Sequence, residues 1–364
     1  MTHRVTLIPG DGIGPEVVEA ARMVVTATRV DVRWDVQEIG LRAFERMGQA
    51  LPLQALASIR ENGVALKGPI ETPQGAGIGS ANIALRRELD LFANVRPCRH
   101  YRGVPSVYED LDLVVVRENT EDVYTGVEFE VGTVEAKELI AFIEETTGVR
   151  IRQDSGISVK AISREGSERI VRFAFEETRR HRRKKVTVAH KANIMKFSDG
   201  LFLEEARRVA AQYPDIAFDD RIIDALCMQL VHSPERFDVL VLPNLYGDIV
   251  SELGAGLIGG PGVAPGGHLG DEVAVFEATH GTAPHLAGRD RANPVGLMLS
   301  AAMMLRHLGE ADAGDRLEEA IAGVLADGDD VTPDLRAPGD ERPTAGTRRM
   351  AEAVGERLRG ASVA

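Results

Sequence analysis

Short β-branched, apolar runs alternate along this chain with longer segments of helical period, and few folds accept that order. Residues 5–8, 111–116, 186–189, 237–242 and 273–277 read as strands, while 14–29, 199–212 and 294–308 read as helices. The last helix opens on Asn293 and Pro294, an amide cap followed by the residue type that suits a first turn. Such alternation specifies an α/β fold with mostly parallel strands. A chain of 364 residues has room for two domains. Its 44% hydrophobic and 27% charged residues suffice for a core without staples.

Residues 124–162 break the pattern. They hold short β-like pieces, 128–134 and 156–162, and no long apolar run, as an arm of strands projecting from the body would. Residues 179–185 form a run of arginine, histidine and lysine. It is single and lacks interleaved aromatics, so it reads as a solvated helix C-terminus rather than a nucleic-acid patch. The formal net charge of −13 disfavours both nucleic acid and anionic membrane as partners. An anionic substrate would then need a local basic pocket.

Cys98 and Cys227 stand far apart, without disulfide or zinc spacing, which suits a reducing compartment. No apolar run approaches the roughly 18 residues that span a bilayer. With no export signal legible either, the cytoplasm is the expected location.

Ligands of open α/β sheets bind outside the carboxyl ends of strands, so the residues that follow each apolar run outline a site. Arg96, Arg117 and Lys191 each follow one. Residues 237–242 lead into Asn244 and Asp248, and 273–278 lead into Thr279, His280 and Gly281. Arg96 and Arg117, with Arg86 upstream, have the forked donors that clamp carboxylates. Asp248 and Glu252 lie four apart at the expected start of a helix. Their carboxylates share a face and offer hard oxygens to Mg²⁺ or Mn²⁺. Favourable acids at a helix N-terminus are the plainer reading of the same pair. The turn from Gly10 to Pro15 has the spacing G-x-G-x-G, with no acid in the right context about 20 residues on, so a Rossmann fold is excluded.

Seven ordered stretches together resemble the β-decarboxylating dehydrogenases of isocitrate, 3-isopropylmalate and homoisocitrate. They are Ile-Pro-Gly-Asp-Gly-Ile-Gly-Pro-Glu at 8–16, Lys-Gly-Pro at 67–69, Asp-Leu-Phe-Ala-Asn-Val-Arg-Pro at 90–97 and Arg-Glu-Asn-Thr-Glu-Asp-Val-Tyr at 117–124. The others are His-Lys-Ala-Asn-Ile-Met at 190–195, Asn-Leu-Tyr-Gly-Asp at 244–248 and Glu-Ala-Thr-His-Gly-Thr-Ala-Pro at 277–284. The resemblance covers nearly the whole chain.

It implies an isopropylmalate-dehydrogenase-like fold. A discontinuous large domain, 1–96 with 254–364, would carry a mostly parallel sheet. A smaller domain, 97–253, would carry the arm 124–162. It also implies roles. Arg86, Arg96, Arg117 and Asn193 would bind substrate, and Tyr124 with Lys191 would handle protons. Asp224, Asp248 and Glu252 would hold Mg²⁺ or Mn²⁺, with Lys191 and Asp224 supplied by the partner of a homodimer. Thr72, His280, Gly281, Thr282, Ala283, His285, Leu286 and Asn293 would line the cofactor site.

The family resemblance also focuses substrate choice on Ser80 and Asn82, which resemble the pair that hydrogen-bonds the third carboxylate of isocitrate. Facing an alkyl group, they would be left unpaired. Ser80 as a helix cap is compatible with either substrate. The expected reaction is oxidative decarboxylation of isocitrate. Homoisocitrate, 3-isopropylmalate or a phosphonate analogue are alternatives, and a non-catalytic regulatory subunit is an alternative of another class. Two positions depart from the family pattern. Glu252 stands where an aspartate is usual, and His285 stands where NAD-type members carry an aspartate. The cofactor expected is NAD, with NADP possible.

Overall fold

The computed structural model describes residues 2–71, 80–337 and 339–361. In chain order the strands are β1 His3–Ile8, β2 Val32–Val36, β3 Val64–Lys67, β4 Ala93–Arg99, β5 Asp112–Glu118 and β6 Glu128–Phe129. β7 Ile157–Ser158, β8 Lys185–His190, β9 Ala217–Ile222, β10 Val239–Leu242, β11 Gly267–Leu269 and β12 Ala274–Phe276 follow. Ten of them form one sheet, ordered β2-β1-β3-β12-β11-β4-β5-β10-β8-β9. Its two wings are parallel, and its centre is antiparallel where β11 and β4 run against their neighbours.

The buried strands are near-continuous apolar runs because helices cover both faces. β10 is buried at all four positions, and β3 is too, although it ends on Lys67. Strands from the two chain ends fill one wing and strands from 97–253 fill the other. β4 spans the proposed boundary at 96/97, and one apolar cluster runs across it, from Val5 and Leu66 to Leu113, Val115 and Leu240. One sheet and one apolar core are thus continuous through the expected boundary.

The arm differs from its expectation. β6 and β7 are two residues each, and between them stands the helix Val134–Thr147. Its signals are local. The Thr133 hydroxyl accepts from the Ala136 N–H, and Gly148 ends the helix at φ +72, a conformation only glycine adopts without strain. Asp248 and Glu252 also move. Their helix begins at Asn244, so both acids lie inside it and the N-terminal dipole does not account for them.

The basic run closes the helix Arg164–Arg180 and enters β8. Arg179 pairs with Asp215 at 2.8 Å, Arg183 with Asp238 at 2.7 Å and Lys185 with Asp219 at 2.9 Å. Most of its charge is answered in place. No helix among the described residues is long and apolar enough to cross a membrane.

Candidate active site

β4 and β5 are antiparallel, with Asn94 opposite Arg117 and Arg96 opposite Val115. Opposed residues point to the same side, and so do alternate ones, so Asn94, Arg96 and Arg117 share a face. Both arginines lie within strands rather than beyond their ends, which corrects the expected placement of Arg96 in particular. Arg117 is 1% exposed. Its Nε and Nη2 both donate to Asn244 Oδ1, at 3.0 and 2.7 Å, and Nη1 donates to Asp248. Asn244 is anchored in turn through its amide N–H to the Glu121 carbonyl at 3.1 Å.

The other Asp248 oxygen accepts from the Tyr124 hydroxyl at 2.5 Å, and Arg117 lies 4.8 Å from the centre of that ring. Arg96 donates to Asn94 at 3.2 Å and reaches Glu252 at 3.3 Å. The Arg86 guanidinium makes no hydrogen bond or ion pair among the described residues, yet it feels Arg96, Asp248 and Tyr124 electrostatically. Burial lowers the Arg86 guanidinium against the attraction of Glu277 and Asp248, and its forked donors suit a carboxylate.

The charges are tuned by this crowding. Burial lowers Arg117 to about 10, against the opposing pull of Asp248. Burial works against ionised Asp248, but the Arg117 guanidinium and the Tyr124 hydroxyl outweigh it and hold its carboxyl below the usual range. Burial, then the neighbouring Asp248, raises the Tyr124 phenol and keeps its proton on.

A second group stands apart. Lys191, just beyond β8, donates to Asp224 at 2.6 Å at the start of the helix Ile223–His232. This contact holds the Asp224 carboxyl below its usual range, and the side chain is exposed. Among the described residues of one chain, no three His, Cys, Asp or Glu side chains gather to hold a metal ion. Asp248 and Glu252 offer hard oxygens one helical turn apart, and Asp224 offers another elsewhere. The donor chemistry fits Mg²⁺ or Mn²⁺, but one chain does not assemble it.

The third group is a loop. The Ile13 N–H donates to the Thr282 carbonyl at 2.9 Å, and a Cβ on Gly12, at φ +56, would lie 2.0 Å from that oxygen. The first turn thus props the loop carrying His280 to Leu286. Asp11 is spent on structure, accepting backbone N–H groups of Leu41, Arg42 and Glu71. In the loop, Ala283 has φ +35 and His280 Nε2 is buried with no partner among the described residues. Asn293 accepts from the Val295 N–H at 3.0 Å and donates to Asp334 at 2.9 Å.

A family model described as isocitrate/isopropylmalate dehydrogenase matches residues 4–354. The chain belongs to that family. Isocitrate dehydrogenase [NAD] subunit alpha, mitochondrial, of Homo sapiens is 45% identical over 336 residues, 91% of this chain and 85% of that protein. The chloroplastic 3-isopropylmalate dehydrogenase of Solanum tuberosum is 44% identical over 328 residues, 89% of this chain and 86% of that protein. Among solved structures, isocitrate dehydrogenase from Methylococcus capsulatus is 49% identical with a TM-score of 0.89, covering 98% of this chain and 99% of that one.

Within this dehydrogenase framework, Tyr124, Arg86, Arg96, Arg117, Asp248 and Glu252 come together. Lys191 and Asp224 form their own pair, and their hydrogen bonds do not connect to that cluster. Asn193 follows Lys191 in the same turn. Ser80 caps the helix Ala81–Glu88, accepting from the Ile83 N–H at 3.5 Å, and Asn82 Oδ1 is buried with no partner among the described residues. Thr72 lies outside the described residues.

Sequence reasoning gave no role to Lys67, Asn119, His268 and Glu277, a buried network beside Arg86. The signal was present. Lys67 and Glu277 each close an apolar run, the same cue that marked Arg117.

Proposed function

We propose that the chain is a homodimeric, NAD-dependent isocitrate dehydrogenase that decarboxylates its oxidised substrate with Mg²⁺ or Mn²⁺. The observation that carries this reading is the cluster of Arg96 and Arg117 on one sheet face with Asp248 and Tyr124, within electrostatic reach of Arg86. Three guanidiniums suit a polycarboxylate, and Asp248 and Glu252 offer hard oxygens beside them. Ser80 and Asn82 carry a hydroxyl and an amide NH₂ that can donate to a third carboxylate and would be left unpaired against an alkyl group.

When bound, the nicotinamide would accept a hydride and the divalent ion, held by Asp248, Glu252 and a second copy's Asp224, would polarise the hydroxyl. The arginines would hold the carboxylates of the anion through paired N–H donors. Lys191 takes the hydroxyl proton. Tyr124, whose proton is held on by burial and Asp248, returns a proton to the carbon that loses CO₂. Tyr124, Arg86, Arg96, Arg117, Lys191, Asp224 and Asp248 are all retained in the sequence, which disfavours a purely regulatory role.

A shared site supports the dimer. The helices Ile223–His232 and Asn244–Leu257 pack together and expose Met228, Val231 and Ile249 beside the incomplete acid set. NAD is favoured because Arg336, the arginine that could meet a 2′-phosphate, is spent. It donates to the carbonyl oxygens of Gly328, Asp329 and Pro343. Asp334, exposed beside Asn293, adds a carboxylate unsuited to phosphate. Cys98 is buried and unpaired, with its thiol pushed up to about 12 by burial, in keeping with a reducing compartment such as the cytoplasm.

The test is an activity matrix of isocitrate, homoisocitrate and 3-isopropylmalate with NAD or NADP. Isocitrate with NAD is expected to turn over, to stop with EDTA and to resume with Mg²⁺ or Mn²⁺. Turnover of 3-isopropylmalate alone would overturn the substrate assignment. A second prediction concerns the prop under the loop. Gly12→Ala is expected to raise the KM for NAD about 10-fold, from a strain of roughly 1–3 kcal/mol, while kcat at saturation changes little. Steady-state kinetics with NAD varied will show whether the loop depends on this turn.

A further inference from the structure

We propose that His268 is a positioning residue that holds the Glu277 carboxylate in place beside the substrate arginines, through a directed chain of hydrogen bonds beginning at a backbone carbonyl. Only its kinetic test rests on the functional reading above. His268 lies on β11, opposite Asn94 of β4 and Val275 of β12, and is 3% exposed. Its Nδ1 is 3.0 Å from Asn119 Nδ2, and its Nε2 is 2.7 Å from Glu277 Oε1.

Asn119 sets the direction. Its amide nitrogen also donates to the Leu91 carbonyl at 2.9 Å, and a carbonyl only accepts. That corner of the amide is therefore NH₂, and its two hydrogens go to Leu91 and to His268 Nδ1. The alternative amide orientation would set oxygen against oxygen. Asn119 Oδ1 is left buried with no partner among the described residues. With Nδ1 an acceptor, the ring proton sits on Nε2 and is donated to Glu277.

Glu277 also pairs with Lys67, which is 1% exposed at the end of β3. Arg86, from the helix Ala81–Glu88, and Arg96, from β4, add their charge from two further elements. Burial opposes ionised Glu277, yet Lys67 and the His268 donor hold it well below the usual range. A charged imidazole would add a cation to a pocket already rich in them. Burial, with Arg86 and Arg96, accordingly pushes His268 down to about 3. A neutral ring that donates once is what this pocket accepts. The carboxylate it orients balances Lys67 and Arg86 and immediately precedes the 278–286 loop. One hydrogen bond therefore fixes a carboxylate that pairs with Lys67, acts on Arg86 through its charge and leads into the loop.

The direct test is ¹⁵N NMR of the native protein labelled at histidine, without substrate. His268 is expected to show the neutral Nε2–H form and no titration from about pH 5 to about pH 8. Titration in that window, or the Nδ1–H form, overturns the proposal. Asn119→Ala removes the donor that occupies Nδ1, so in that variant the Nδ1–H form should appear beside the Nε2–H form in the same spectrum.

His268→Leu is expected to raise the substrate KM at least about 10-fold with kcat within about 3-fold, the scale of a hydrogen bond to a charged group. His268→Gln, which keeps a donor for Glu277, should restore most of the loss. A folded His268→Leu with unchanged KM also overturns it. If the wild type turns over none of the acids, the functional reading fails and the ring's tautomer alone decides this one.

Discussion

Arg117→Ala is expected to lower kcat/KM at least about 1,000-fold and to destabilise the protein by about 2–4 kcal/mol, because one guanidinium serves both substrate and fold. It is buried and holds Asn244 twice and Asp248 once. Its loss strips both hydrogen-bond donors from the buried Asn244 oxygen and leaves Asp248 without its principal counter-charge. Asp248 is 38% exposed, so water recovers part of that cost, which sets the estimate at the lower end for a broken buried pair. The kinetic loss is larger because the substrate carboxylate also loses a charge-assisted, forked contact.

Urea unfolding and steady-state kinetics on the same preparation separate the two effects. Asn244→Ala removes the anchor and keeps the charge, and should fall between the variant and the wild type. Arg117→Ala activity within about 10-fold of wild type would make Arg117 a strut and not a substrate ligand.

The sign of the pH effect follows from the same group. Asp248 has a lowered folded-state value, so the stability it contributes is present above the ordinary aspartate range. That stability is lost as pH falls through the depressed value.

Much of this site was legible because strand ends concentrate function in α/β sheets. Arg117 follows a run of valines near the end of its strand, where a buried guanidinium needs polar or anionic partners. The α/β class was legible for the same reason, as uninterrupted apolar runs such as Val239–Leu242 need cover on both faces. What was not legible is which side chains meet. Arg96 and Arg117 share a face only through the antiparallel register of β4 and β5, and no local periodicity carries register.

The helix Val134–Thr147 escaped for another reason. Ala136 and Ile140 are its only buried residues, while Val134 and Phe142 are exposed, so its apolar stripe is too weak to stand out. Its cap and terminal glycine were the better guides. Asp248 and Glu252 were assigned a shared helical face correctly, but the start of their helix was misplaced because Pro243 and Asn244 lack the usual capping pattern. The network of His268, Glu277, Lys67 and Asn119 draws on four strand segments. Each of its members alone reads as an oddity at the edge of a strand.

The separation of Lys191 and Asp224 from the arginine cluster leads to the second large effect. Lys191→Ala and Tyr124→Phe are each expected to lose at least about 100-fold in kcat while folding normally, as expected of proton-transfer groups. Asp224 is exposed and Lys191 donates to it in the same chain, so the pair is presented outward as a unit. If that unit completes a neighbour's arginine cluster, two dead variants can repair one another. In a mixed dimer, the Lys191→Ala chain contributes an intact arginine and Tyr124 cluster, and the Tyr124→Phe chain contributes an intact lysine. One of the two sites is then wild type and the other carries both defects. Random reassociation makes half the dimers mixed, so the mixture should recover about a quarter of wild-type activity. Subunit exchange in mild urea followed by dilution and assay reads this directly. A site contained within one chain recovers nothing on mixing, and activity that stays at the level of the separate variants would refute the shared site.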